Sequence, residues 1–202
     1  MSRIDNPTAA QLDANQQALS LAEAAMGFVP NSLKITARNT ELLNGFLMLS
    51  NADLGPSSTL NSALRQMIAH ITSAAAGCLY YQAHTAHGAE RHGVDAAKIK
   101  AIWPFQTSDL FCYADHAVLD LAQAAGSVPN NATDQQFENL KQYYSEDEIV
   151  DIVAVIAYFG FLNRWNDTLA TPLEESPLAF AESHLTANGW QLGKHGTGRE
   201  IN

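Results

Sequence analysis

Cys78 stands directly after Gly77 and opens the run Leu79, Tyr80, Tyr81, Gln82, Ala83, His84, at a point where one helical segment stops and another starts. A thiol at a helix N-terminus faces the positive end of the aligned peptide dipoles, which favours the thiolate, the form that attacks. Cys78 is therefore the expected redox residue. At 100° per residue, Tyr81, Gln82 and Thr85 share its face of the following helix, and His84 lies about 60° from Tyr81. These side chains are expected to border one pocket. His87 points nearly opposite to Cys78, and His92 lies well down the axis. Cys78 and His87 on opposite sides make no zinc set, so no metal site is expected. A hydrolase nucleophile elbow of the Gly-x-Ser-x-Gly type is absent.

The preceding helix must deliver the chain to Cys78. Leu64, Met67, Ile68, Ile71 and Ala75 fall on one face, which reads as core. Gln66, His70, Ser73 and Gly77 fall on the other, a polar stripe ending at Cys78. It reads either as a solvent-facing stripe or as a hydrogen-bonded relay with His70 as its titrating member. The candidate catalytic residues are Cys78, Tyr81, His84, Gln66 and His70. Cys112, beside Phe111 and Tyr113, is expected to be a buried structural cysteine. Residues 149–162 are apolar on most sides, which places that helix in the core or in a subunit interface. Asn163, Arg164, Asn166 and Asp167 then emerge together at its end, with Arg164 compensating the dipole or pairing with Asp167.

The punctuation between these segments is helical. Glycine or proline closes segments at 8–26, 33–52, 59–76, 78–92 and 95–103. A further segment covers 111–125. Thr133 with Gln136 and Ser145 with Glu148 have capping-box spacing, the second opening a helix to about residue 166. Pro172 and Pro177 precede a short segment at 179–185. No β-branched run alternates with period two. The expectation is an all-α fold of about eight to nine helices. It forms a single domain over residues 1–202, with a loose tail near 189–202. Similar composition in the third and eighth helices fits either an internal duplication or two core helices that are merely alike.

Of 202 residues, 47% are hydrophobic and only 16% charged, fewer charges than usual for a soluble domain. Such a surface favours contact with copies of itself. A net charge of −10 and no basic cluster argue against nucleic acid. No apolar run is long enough for a membrane span, and no secretory leader opens the chain. With two cysteines far apart in sequence, the expected setting is the reducing cytoplasm, with free thiols.

Leu64–Arg65–Gln66–Met67–Ile68–Ala69, Gly77–Cys78–Leu79–Tyr80, Gln82–Ala83–His84–Thr85–Ala86–His87 and Phe161–Leu162–Asn163–Arg164–Trp165–Asn166–Asp167 together resemble the carboxymuconolactone decarboxylase superfamily. The likeness spans most of the chain and is greatest to its alkylhydroperoxidase D-like (AhpD-like), peroxidase-related branch. The resemblance implies a helical homo-oligomer, a trimer or hexamer, without a cofactor. It also implies an antioxidant oxidoreductase acting on small organic hydroperoxides, with a thiol electron donor. In redox-active members a Cys-x-x-Cys pair opens a helix; the later cysteine attacks, the earlier resolves, and a Glu and a His relay protons. Here the earlier cysteine is Cys78, but Tyr81 stands at the attacking position, Gln66 at the glutamate and Thr85 at the histidine, with His84 one place off. A phenol forms no disulfide, and an amide exchanges no proton at neutral pH. The resemblance therefore implies impaired or one-cysteine chemistry. The alternatives are decarboxylase or lyase chemistry, as in relatives without the cysteine pair, and a non-catalytic oligomeric binding protein.

Overall fold

The computed structural model describes residues 2–196, and among them no strand occurs. The helices are α1 (Ala9–Ala14), α2 (Gln16–Met26), α3 (Asn31–Thr36), α4 (Thr40–Leu54), α5 (Ser62–Ala75), α6 (Leu79–Arg91), α7 (Ala96–Lys100), α8 (Tyr113–Gly126), α9 (Asp134–Leu140), α10 (Glu146–Leu169) and α11 (Glu175–His184). The all-α expectation holds. Both capping boxes read from spacing form, at Thr133 and at Ser145. No helix among the described residues is long and apolar enough to cross a membrane.

The boundaries shift where side chains compete for the backbone. The segment expected over 8–26 breaks at Asn15, whose amide donates to the carbonyls of Gln11 and Ala37 at 2.8 and 3.1 Å. The segment over 33–52 breaks at Asn39, whose side chain accepts from Leu42 N and starts α4. Helix α5 begins later than expected because Ser58 and Thr59 are engaged elsewhere. Their hydroxyls and the Thr59 N–H donate to Asp151 of α10.

Helices α5, α6, α8 and α10 pack around one core that includes Ile68, Ile71, Tyr80, Leu119, Leu121 and Ile152. Gly126 lets α8 approach α5 closely: a Cβ there would lie 2.9 Å from the Thr72 Cα. The polar stripe of α5 is not solvent-facing, because His70 and Ser73 are buried. A second, smaller cluster of Leu19, Leu33, Ala37 and Leu43 seats α2 and α3 beside α4.

The tail expected to be loose is packed as far as the structure describes it. Trp190 and His195 are buried, the Trp190 indole donates to the Leu79 carbonyl at 2.9 Å, and His195 O accepts from Leu173 N. Two large rings with backbone partners hold this segment over the start of α6. Residues 197–202 lie outside the described residues.

Candidate active site

Gly77 adopts φ 71°, the left-handed turn that separates α5 from α6, and Cys78 is the N-cap of α6. The expected placement of the sulfur at a helix start is correct. Its expected ionisation is not. Cys78 is 1% exposed, and burial pushes its thiol up to about 12. The backbone N–H groups of Tyr81 and Tyr80 oppose this only in part. Desolvation outweighs the dipole, so the thiol is protonated at neutral pH. Cys78 is also absent from the lining of the cavity that its neighbours form.

That cavity encloses about 640 Å³ and is mostly apolar. Its floor includes Tyr81, His84 and Thr85 of α6 and Phe159 and Leu162 of α10. Gln66 and Gly88 border its far end, and α2 roofs it with Ala18, Leu21, Ala22 and Ala25. The guanidinium of Arg91 donates to the Ala25 and Met26 carbonyls and holds the end of that roof. Gly88 makes room for Gln66, whose Oε1 lies 2.6 Å from where a Cβ would stand.

Tyr81 meets Phe159 edge-on at 5.3 Å between ring centroids. Its hydroxyl is raised well above the ordinary phenol value, by burial first and then by Tyr158. It remains neutral, beside the Ser32 hydroxyl.

His84 is the polar group that the cavity exposes to a ligand with a partner already in place. Its Nε2 lies 2.6 Å from Glu174 Oε2. The other carboxylate oxygen, Oε1, accepts from the Tyr80 hydroxyl at 2.9 Å and from the Asn31 N–H. Tyr80 stacks on His84 at 4.5 Å and fixes the ring plane. Burial alone would raise the Glu174 carboxyl; His84, Asn31 and Tyr80 together hold it below the usual carboxylate value. An ionised Glu174 accepts the Nε2 proton, so Nδ1 of His84 is left to take or give one.

His70 lies behind this floor. Its Nδ1 is 3.1 Å from Thr85 Oγ1. Thr85 donates its own proton to the Tyr81 carbonyl, so His70 is the donor of this pair. Burial pushes His70 down to about 4, with the Gln82 carbonyl opposing. His70 is thus neutral at physiological pH and supports Thr85 rather than relaying protons to Cys78.

The structure therefore unites Tyr81, His84 and Gln66 at one cavity, sets His70 just behind it, and leaves Cys78 outside. Glu174 was missed by sequence reasoning; it caps α11 and lies 90 residues from His84. Cys112 is exposed as the N-cap of α8, contrary to expectation, because Phe111 and not the thiol enters the core. Asp167 pairs with Lys194 at 2.6 Å rather than with Arg164. Among the described residues no group of three His, Cys, Asp or Glu side chains could hold a metal ion.

The Carboxymuconolactone decarboxylase family model matches residues 40–124, from α4 through α8. The debrominase Bmp8 is similar over 91% of this chain and 99% of its own, at 31% identity and TM-score 0.83, in a structure of a cysteine-to-alanine variant in complex with 2,3,4-tribromopyrrole. An uncharacterized peroxidase-related protein with an alkylhydroperoxidase AhpD core, from Ralstonia eutropha JMP134, shares the fold at TM-score 0.78 and 24% identity, over 89% of this chain and 95% of its own. The uncharacterized protein YdfG of Bacillus subtilis (strain 168) is 24% identical over 111 residues, 54% of this chain and 73% of that protein. The chain belongs to the carboxymuconolactone decarboxylase family, with an AhpD-like fold.

Proposed function

We propose that this protein is an enzyme of proton-transfer chemistry on a small, mostly apolar ring compound. His84 exchanges the proton, Glu174 orients its ring, and Tyr81 donates a hydrogen bond to the ring compound's polar atom. The observation that carries this reading is that His84, on the wall of an apolar cavity of about 640 Å³, lies 2.6 Å from Glu174 behind it. That volume lies within the range of small-molecule sites. A buried acid–base group with a fixed tautomer is the kind of side chain that catalysis by proton transfer requires. Hydroperoxide reduction by a thiol pair fits less well, since Tyr81 occupies the second position and the buried Cys78 thiol is protonated.

The test is ring C–H exchange. Wild type and His84→Gln are incubated with pyrrole-type ligands in D2O and followed by NMR. Wild-type exchange that His84→Gln loses by about 10²-fold or more supports the reading. Equal exchange in both proteins sinks it.

A second reading has its own support. Bmp8 is a debrominase studied with a cysteine replaced, and in this chain two backbone N–H groups face the Cys78 sulfur. In that reading His84 protonates the carbon bearing bromine. A thiolate then takes the bromine, and a second, external thiol forms a disulfide and releases bromide. Two thiols lose two electrons and the ring carbon gains a hydrogen. Debromination of 2,3,4-tribromopyrrole with added thiol, lost in Cys78→Ser, selects it; retention in Cys78→Ser selects the first.

A further inference from the structure

The cavity runs along one face of α6. At 100° per residue, Tyr81, His84, Thr85, Gly88 and Arg91 fall within an arc of about 120°, and from Tyr81 to Arg91 the face extends about 15 Å. Two polar stations lie on it. Tyr81 and His84 form the inner one. The outer one belongs to Gln66 of α5, whose amide lies against Gly88, a single turn or about 6 Å beyond His84. The amide comes so close because Gly88 has no side chain: its Oε1 lies 2.6 Å, and its Cδ 2.9 Å, from where a Cβ would stand.

Gln66 is free to act on a ligand. Its amide has no hydrogen-bond partner among the described residues, whereas Arg65 beside it and His70 one turn on are both bonded. The basic groups at this end of the cavity are not free. Arg91 spends both terminal nitrogens on the carbonyls of Ala25 and Met26. His92 is held below its ordinary value by burial and then by Arg91, so it is neutral at pH 7. A carboxylate entering here would lose its hydration and meet no free cation, which is costly against apolar walls. An uncharged group that both donates and accepts matches the Gln66 amide, which offers one acceptor oxygen and two N–H donors. We propose that Gln66, seated by Gly88, is a specificity-determining residue that selects ring compounds carrying an uncharged donor–acceptor group, a primary carboxamide, across the ring from the polar atom that meets Tyr81 and His84. The two stations are offset by about the length of a ring with para substituents. A site built to hydrogen-bond such a group discriminates against an analogue that lacks it, because its own polar atoms are then left unpaired.

The inference rests on the cavity being the ring-binding site of the proposed function, but not on proton transfer there. Its test is an NMR titration of the full-length protein with three probes: para-hydroxybenzamide, para-cresol, which lacks the carboxamide, and para-hydroxybenzoate, which carries a charge in its place. Para-hydroxybenzamide should bind about tenfold tighter than either of the others. Gln66→Leu should bring para-hydroxybenzamide and para-cresol within about twofold of each other. Gly88→Ala, whose new Cβ displaces the Gln66 amide and leaves its chemistry intact, should lose most of the same preference, and it carries the test where the leucine variant does not fold. A preference that survives these substitutions, equal binding of the three probes to wild type, or tighter binding of para-hydroxybenzoate overturns the inference. Failure of wild type to bind any of the probes overturns it together with the ring-binding reading. Absence of ring C–H exchange with the Gln66-dependent preference intact sinks proton transfer alone.

Discussion

Replacing Glu174 by Gln tests the site most directly. Three donors converge on the two carboxylate oxygens: His84 Nε2 on one, the Tyr80 hydroxyl and the Asn31 N–H on the other. Glutamine has one oxygen. Facing it toward Tyr80 and Asn31 turns its NH2 toward His84, and Nε2 must then present a lone pair. The imidazole changes tautomer and loses its ionised partner. The pair is 5% and 10% exposed on its two side chains, so solvent screening is slight. Losing a charge-assisted hydrogen bond in such a place costs about 2 kcal/mol, or roughly 4–8 °C in Tm for a chain of this size. Proton transfer should suffer more, by about 10²-fold or more, because the wrong nitrogen is protonated. The pH dependence has a definite sign. The folded-state value of Glu174 lies below the ordinary 4.5, so its stabilisation is present above that value and fades as pH falls through the lower folded value. Urea melts at neutral and acidic pH, beside the NMR exchange assay, read both effects. Exchange within twofold of wild type, with a stability gap that persists in acid, would refute the reasoning.

Three further outcomes follow from the same geometry. Ellman's reagent on the native protein at pH 8 should titrate one thiol, Cys112, and a second only in denaturant; with the Cys78 value raised from 9.0 to about 12, stability should also fall by up to about 4 kcal/mol as pH rises through that window. His70, lowered from 6.5 to about 4, contributes stability that is full above pH 6.5 and declines as pH falls toward 4, by up to about 3 kcal/mol; His70→Gln should flatten that limb of the acid-unfolding curve. Gly126→Ala should lower Tm by several degrees, about 2 kcal/mol, because the new Cβ strikes the Thr72 backbone, whereas Gly88→Ala strikes only the movable end of Gln66 and should cost less, as differential scanning calorimetry will show.

Local chemistry made much of this fold legible. Capping boxes at Thr133 and Ser145, and glycines at 27, 77 and 93 in left-handed turns, state helix ends in a few adjacent residues. The breaks at Asn15 and Asn39 were less visible, because an asparagine that binds Ala37 from 22 residues away looks like any polar residue in a helix. At the site, helical periodicity placed Tyr81 and His84 together correctly, since both depend on one helix. Glu174 depends on α11 docking against α6, and no spacing rule connects a residue after Pro172 to an imidazole in another helix. The Cys78 thiol was misjudged for a related reason. A dipole argument uses only the helix that the residue opens, while burial depends on the segment around Trp190 that returns over that helix start.

The site differs from a dithiol site in more than one group. A dithiol site needs an accessible thiolate and a proton relay close to it. Here Tyr81 presents a phenol to the cavity, Gln66 cannot titrate, and Cys78 is protonated behind the cavity wall. The imidazole that faces the cavity is instead held by a carboxylate from α11, outside the matched residues 40–124. The matched residues thus supply His84 and the helix start, while its carboxylate partner and part of the cavity lining come from segments that the family model does not reach. Chemistry carried over from the thiol pair alone would pass over the contact of His84 with Glu174 beside the cavity.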